Sequence, residues 1–180
     1  MTQLLPELGG PISPQMITVS RPELLVDGSD ATYRVGVHAL MAVSNNIEEI
    51  RRGFGTHIGI SGPQHEMLML IARMNDGKGI SVGEIAKLIK RTHVFVASET
   101  NRLQAMALVQ KNPLESDRRV SVVTVTDQGN AALLKLSELQ REVNDLLFGN
   151  FSRVDFLSFI TLIQKLVMSS ETALQAINNK

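Results

Sequence analysis

Residues 81–129 read SVGEIAKLIKRTHVFVASETNRLQAMALVQKNPLESDRRVSVVTVTDQG. Ser81 and Glu84 have the spacing of a capping box, which predicts the start of a helix of about two turns. A break follows at residues 90–91, and Thr92 can cap a second helix that runs to about residue 107. A short helix, a tight turn and a second helix make up a helix-turn-helix, the unit that places one helix in the major groove of DNA.

A β-hairpin is predicted directly after this unit. The apolar spacing changes to two, with Leu108 at the start of one strand and Val120, Val122 and Val125 in the next. The loop between these strands is polar and carries charge. Such a hairpin is a wing, a ribbon narrow enough to reach the minor groove, where the negative potential attracts arginine.

Amphipathic segments lie on both sides of this region. Residues 1–28 contain four prolines, which favours an extended arm or, equally, a frayed tail. A long helix is predicted from Asp30, with Gly53 and Gly55 at its end. A capping box at residues 61 and 64 predicts the next helix, and caps at residues 126–127 and 152–155 predict two more after the wing.

The composition fits a cytoplasmic protein with locally concentrated positive charge. The 180 residues are 43% hydrophobic, with 18 basic and 18 acidic side chains and no cysteine. Residues 85–120 contain seven basic residues against three acidic ones, so the predicted DNA-facing segment carries a net charge of +4. We expect no membrane span and no secretion signal, because no apolar run is long enough and the N-terminus has no basic segment before an apolar one.

The wing and the helix before it resemble the MarR family of regulators. The resemblance is carried by Asp117-Arg118-Arg119, the valine-rich strand, and Thr126-Asp127-Gln128-Gly129. It is also carried by residues 101–104, followed by 107–109, which match the end of that family's second helix of the helix-turn-helix, its recognition helix. The similarity covers roughly residues 30–178, and its specific part covers residues 61–129.

The resemblance implies a fold that is mainly α, a winged helix-turn-helix flanked by N- and C-terminal dimerisation helices. Together with the proline-rich arm at 1–28, it divides the chain into a dimerisation helix at 29–60, a winged DNA-binding domain at 61–126 and dimerisation helices at 127–180. It also implies a homodimeric repressor that binds a pseudo-palindromic operator in duplex DNA. Many members are released by small aromatic acids, which bind between the dimerisation helices and the winged domain.

Four positions depart from the family's pattern. Glu99 and Thr100 replace two apolar residues that usually pack inward, Ser98 replaces a basic residue, and Ala107 replaces a glycine. A buried Glu99 would need a partner. The family's base contacts therefore cannot be transferred to this chain.

The predicted DNA-binding residues lie in the helix-turn-helix and the wing. Val96, Thr100 and Leu103 share the opposite, inward face of the second helix. Arg119 would enter the minor groove, while Asp117 would stabilise the wing by pairing with an arginine. The predicted contacts are Arg91, Thr92, His93, Phe95, Ser98, Asn101, Arg102, Arg118 and Arg119. The alternative for Phe95 is a place in the core, and for Arg102 an intramolecular ion pair.

An effector pocket is the second predicted site, and its residue types also occur in ordinary packing. His65-Glu66 forms half of a zinc-protease motif, but residue 69 is methionine where the second histidine would stand. We therefore predict no metal site. The candidate effector-binding residues are His38, Met41, His57, His65 and Met67.

Two other kinds of function are alternatives to a DNA-binding regulator. A winged helix can act as a protein-interaction module without specific DNA readout, because fold does not fix function. An enzyme is not expected, since the chain has neither a Ser-His-Asp signature nor a Gly-rich phosphate loop, and no cofactor is implied.

Overall fold

A computed structural model of the chain describes residues 16–74, 79–114 and 117–179, with only the backbone described at residues 117–120. The first fifteen residues of the predicted arm and residues 75–78 lie outside the described residues. The chain forms two compact units, one up to Leu133 and one from Leu134. Mainly helical structure with one small sheet confirms the predicted fold class. The predicted four-segment division stays a prediction.

Six α-helices and three strands occur in the described residues, preceded by a 3-10 helix at Pro22–Leu24. In chain order they are α1 (Ala31–His57), α2 (Gly62–Arg73), β1 (Ile80–Ser81), α3 (Val82–Leu88), α4 (His93–Ala105), β2 (Val109–Leu114), β3 (Asp117–Val125), α5 (Asp127–Leu147) and α6 (Arg153–Asn178).

The helix starts that were predicted from capping residues are confirmed by their hydrogen bonds. Reciprocal capping boxes begin α2 at Ser61, α3 at Ser81 and α6 at Ser152. The Thr92 hydroxyl accepts from the amide of Phe95 at the start of α4, at 3.3 Å. At α5 the Thr126 hydroxyl accepts from the amide of Gly129 at 3.0 Å. Each cap satisfies an amide that the helix itself leaves without a partner.

The sheet has three antiparallel strands in the order β1-β3-β2. The predicted hairpin is present, with Val109 opposite Val125 and a register shift between Pro113 and Leu114. The additional strand β1 pairs Ile80 with Val123. Since β1 has only two residues, it is too short to show an alternating pattern, and the sequence did not predict it.

The predicted end of α1 was wrong. The helix continues through Gly53 and Gly55 to His57 and ends where Gly59 adopts a left-handed φ of 76°. Gly55 serves close packing instead, because a Cβ there would lie 2.6 Å from the carbonyl oxygen of Ile60. Its missing side chain lets the segment that follows α1 fold back against the helix.

The core of the first unit lies among α2, α3, α4 and the sheet. Its fully buried members include Met67, Leu68, Ile71, Ile85, Val96, Leu103 and Val123. Burying a side chain of this size contributes about 1.5–3 kcal/mol. This core holds the inner face of α4 and so fixes the face that α4 presents to solvent.

Asp30, at the start of α1, forms hydrogen bonds with Thr18 of the arm. Its carboxylate is buried and accepts from the amide of Thr18 at 3.0 Å and from the Thr18 hydroxyl at 2.9 Å. The Arg34 guanidinium, one turn along α1, also donates to it. The hydrogen bond from the Thr18 amide holds the pKa of Asp30 below its usual value. From Thr18 onward, the chain is therefore anchored.

The second unit contains a cluster of phenylalanine rings where α5 gives way to α6. Phe148 lies edge-on to Phe151 and Phe156, at centroid distances of 5.6 and 5.3 Å. Phe159 contacts both Phe148 and Phe151. No residue of α6 is buried within this chain.

Candidate nucleic-acid interface

The helix-turn-helix consists of α3, the turn at residues 89–92, and α4. Lys90 has a left-handed φ of 55° in the turn, and the amide of Arg91 donates to the carbonyl of Ala86 at 3.1 Å. This bond is the outer one of a Schellman motif, which ends a helix sharply. The chain can therefore turn from α3 into α4 within four residues.

One face of α4 is anchored in the core, and the other is open to solvent. Val96, Thr100 and Leu103 are fully buried, which confirms the predicted inward face. The Thr100 hydroxyl donates to the carbonyl of Val96 at 2.8 Å, so a polar side chain is tolerated there. The half-buried Phe95 packs against the core cluster. The exposed residues include His93, Val94, Ser98, Asn101 and Arg102.

Glu99 is buried on α4 and has two partners. Its Oε2 accepts from the side-chain amide of Gln64 at 2.8 Å, and its Oε1 accepts from the Arg102 guanidinium at 2.9 Å. Gln64 also accepts from the amide of Ser61 through its own Oε1, as part of the α2 capping box. One glutamine thus closes the cap of α2 and fixes α4 to it.

Asn101 connects α4 to the wing. Its side-chain oxygen accepts from the Lys111 ammonium on β2 at 2.6 Å. Partial burial lowers the pKa of Lys111. Asn101 and Arg102 were both predicted to contact DNA, and the structure engages each of them within the chain.

Positive charge surrounds the start of α4. Lys87, Lys90 and Arg91 have exposed side chains at the end of α3 and in the turn. Arg91 lies 3.9 Å from Glu48 of α1, and an exposed ion pair at that distance contributes little to stability. These cations are accessible to a polyanion.

The wing is present as β2 and β3, with Leu114 opposite Asp117. The side chains of Asp117, Arg118 and Arg119 lie outside the described residues. Their predicted roles at the wing stay predictions.

The structure does not bring the five candidate effector residues together. His38, Met41 and His57 are exposed on α1, whereas His65 and Met67 are buried on α2. Since His38 and His57 are nineteen residues apart on one helix, its rise places them about 28 Å apart along the axis. They cannot contact the same small molecule within one chain.

Val94 was missed by the sequence analysis. It lies on the first turn of α4 and is 79% exposed. Its spacing of four and seven residues from Ser98 and Asn101 places it on the same helix face, so helical periodicity could have identified it.

Comparisons with known proteins identify relatives that resemble this chain in sequence or in fold. No family model matches the chain. The HTH-type transcriptional repressor NicR of Pseudomonas putida is 33% identical over 91 residues, which are 49% of this chain and 58% of that protein. This chain therefore spans little more than half the length of that relative.

Solved structures match over more of the chain. A MarR/EmrR family transcriptional regulator from Acinetobacter sp. ADP1 superposes with a TM-score of 0.66 and 15% identity, covering 77% of this chain and 96% of that one. The MepR–DNA complex of S. aureus gives a TM-score of 0.65 with 16% identity, covering 74% and 96%. This chain has the fold of the MarR-type regulators. The predicted resemblance is thus confirmed at the level of the fold.

The described residues contain neither a membrane-spanning helix nor a cluster of metal ligands. None of the described helices is both long and apolar enough to cross a membrane. In the part of the chain that the structure describes, no group of three or more His, Cys, Asp or Glu side chains could hold a metal ion.

Proposed function

We propose that this protein is a sequence-specific, duplex-DNA-binding transcription regulator, and not an enzyme. It acts in the cytoplasm as a homodimeric repressor. The observation that carries the proposal is the open face of α4, which is held rigidly by the core and by Glu99 and is flanked by exposed cations. A helix presented in this way fits the major groove. The similarity to a transcriptional repressor supports the choice of repression.

Electrostatics support the same interface. The net charge of +4 between residues 85 and 120 contrasts with a formal charge of zero for the whole chain. Cations placed against phosphates release counterions, so each contact lowers the slope of log affinity against log salt by about 0.9. Attraction to DNA is therefore concentrated on one region of the protein.

The test is salt-dependent binding to duplex DNA from upstream of the protein's own gene, measured by fluorescence anisotropy. Arg91→Ala and Arg119→Ala should each weaken binding. Each should also make the slope of log affinity against log salt less negative by about 0.9, the contribution of one phosphate contact. Arg21→Ala is the matched control, because this arginine is 72% exposed and pairs with Glu23 in the arm. Equal affinity and slope for all three variants would favour a protein-interaction module instead.

A dimer would bind a pseudo-palindromic operator, because a two-fold axis in the protein requires one in the DNA site. Support for a dimer comes from α6, which buries no residue in this chain and exposes large apolar side chains. Exposed apolar surface of this extent is typical of an interface between subunits.

An aromatic acid is the proposed effector, and the exposed residues His38 and Met41 of α1 are its proposed contacts. Benzoate is a suitable probe of this chemistry. It should raise the melting temperature of the protein and weaken operator binding, and His38→Ala should reduce both effects. Asn45→Ala, at another exposed position of α1, should leave them unchanged. No response at millimolar benzoate would remove aromatic acids from the proposal.

A further inference from the structure

Val94 is the most exposed large apolar side chain among the described residues, at 79%. Isolated exposed valines are common and need no explanation by themselves. This one differs in its location, because it lies on the first turn of a helix whose inner face is fully packed. Its neighbours on the same face, Ser98 and Asn101, are polar, so Val94 is not part of an apolar stripe that could bind another helix.

The charged side chain on the open face of α4 is held within the protein. The commonest base-specific contact is an arginine or lysine that donates to both acceptors of guanine. Arg102 is the only arginine of α4, and α4 has no lysine. Arg102 donates one of its guanidinium N–H groups to buried Glu99 at 2.9 Å, and this ion pair restricts the directions in which the rest of the guanidinium can reach.

Asn101 is restricted in a similar way. To bind adenine with two hydrogen bonds, an asparagine must accept through its oxygen and donate through its nitrogen. The oxygen of Asn101 already accepts from Lys111 at 2.6 Å. The first turn of α4 can therefore supply discrimination that Asn101 and Arg102 do not, and Val94 is its most exposed large apolar side chain.

We propose that Val94 recognises the C5 methyl group of a thymine in the major groove and so determines a T·A preference at one position of each half-site. The exposed cations Lys87, Lys90 and Arg91 lie next to this turn and would hold the backbone of the DNA against it. The inference rests on the proposed function, since it names the chemistry that the same interface reads.

Deoxyuridine tests the contact because it pairs as thymidine does but has no methyl group. An operator is first obtained by site selection with the wild-type protein. Each thymine is then replaced by deoxyuridine in turn, and affinities are measured for wild type, Val94→Ala and Val94→Thr. At one thymine per half-site, wild type should lose about three- to tenfold in affinity. Val94→Ala should bind the two duplexes equally, and Val94→Thr, which keeps one methyl group, should retain part of the difference.

The outcomes separate this inference from the function on which it rests. Because Val94 is exposed and alanine favours a helix more than valine does, Val94→Ala should not lower the thermal stability of the protein, so a loss of discrimination would not reflect unfolding. If site selection enriches an operator but wild type and Val94→Ala respond alike to deoxyuridine at every position, the thymine contact is wrong and the regulator remains. If no duplex is enriched, both proposals are overturned.

Discussion

The side chain of Gln64 both caps α2 and bonds α2 to α4. Its oxygen is held by the amide of Ser61, so its nitrogen must point to Glu99. Gln64→Glu keeps the capping box, as Glu84 does at α3, but places two carboxylates together in a buried site. We expect a loss of about 2–3 kcal/mol in the free energy of unfolding, measured by urea denaturation.

A double variant provides the control for this prediction. Glu99→Gln in the Gln64→Glu background restores a donor opposite an acceptor, so most of the lost stability should return. If the double variant is no more stable than Gln64→Glu alone, the damage lies in the cap and not in the contact between α2 and α4.

His65 predicts a pH dependence of stability. It is buried on α2 with its ring centroid 5.5 Å from that of Phe54. Burial, with smaller effects from Arg51 and Arg73, lowers the pKa of His65 from 6.5 to about 4. Between these values the unfolded chain binds a proton that the folded chain does not. The free energy of unfolding should therefore fall as the pH is lowered from 6.5 towards 4, by at most about 3 kcal/mol.

The measurement is urea denaturation at several pH values between 4 and 7. His65→Phe keeps an aromatic ring beside Phe54 and removes the titration, so its stability should be nearly constant above pH 5. His57→Gln, at an exposed position, should retain the wild-type dependence. The same slope in His65→Phe as in wild type would assign the effect to another group.

Helix ends show the same geometry built from different residues. In α1 and α4 the residue after the C-cap is left-handed, Gly59 at φ 76° and Ala107 at φ 57°. At α4 the amide of Leu108 donates to the carbonyl of Leu103 at 3.0 Å and completes a Schellman motif. Alanine is strained in this conformation, whereas glycine is not.

Exchanging the two residue types tests this strain. Gly59→Ala should lower the free energy of unfolding by about 1 kcal/mol, since its Cβ would meet no neighbour and only the conformation is penalised. Ala107→Gly should raise it by about 0.5 kcal/mol, because the relief of strain exceeds the added chain entropy of the unfolded state. Urea denaturation measures both. A loss of stability in Ala107→Gly would show that the Ala107 methyl group contributes more than the strain costs.

The sequence predicted helix starts correctly where the deciding interaction involves residues that are close together in the chain. The capping boxes at Ser61, Ser81 and Ser152 are four-residue patterns, and the structure has all three. The end of α1 could not be read in this way. Gly55 looked like a terminator, but its role depends on the distance to the backbone of Ile60, which is a tertiary contact.

For the candidate nucleic-acid interface, the sequence predicted which helix carries it but not the contacts that its side chains make within the chain. Periodicity predicted the inner face of α4. It could not predict that Asn101 contacts Lys111 of another element, β2, or that Arg102 pairs with Glu99, because the burial of Glu99 depends on tertiary packing. A sequence pattern does not show that Lys111 reaches Asn101 across ten residues. For the same reason, the five candidate effector residues shared suitable chemistry without sharing a position.

In the described residues, α6 leaves a large apolar surface exposed, which is the basis of the proposed dimer. Over its 26 residues α6 buries none, and Leu162 and Leu174 are 64% and 62% exposed. Leu162→Glu should hardly change the folding of the isolated chain, because the side chain is already in water. If a second copy covers this surface, the new charge would be buried without a partner, and the dimer should dissociate.

Light scattering after size-exclusion chromatography measures this directly. Wild type should have the mass of two chains, and Leu162→Glu should approach that of one, with a parallel loss of operator affinity because only a dimer engages both half-sites. Gln164→Glu adds the same charge at an exposed polar position of α6 and should remain dimeric. Wild type at the mass of a single chain would contradict the dimer. Dimeric Leu162→Glu with unchanged DNA affinity would place the interface elsewhere, since a buried carboxylate at this position could not be accommodated without cost.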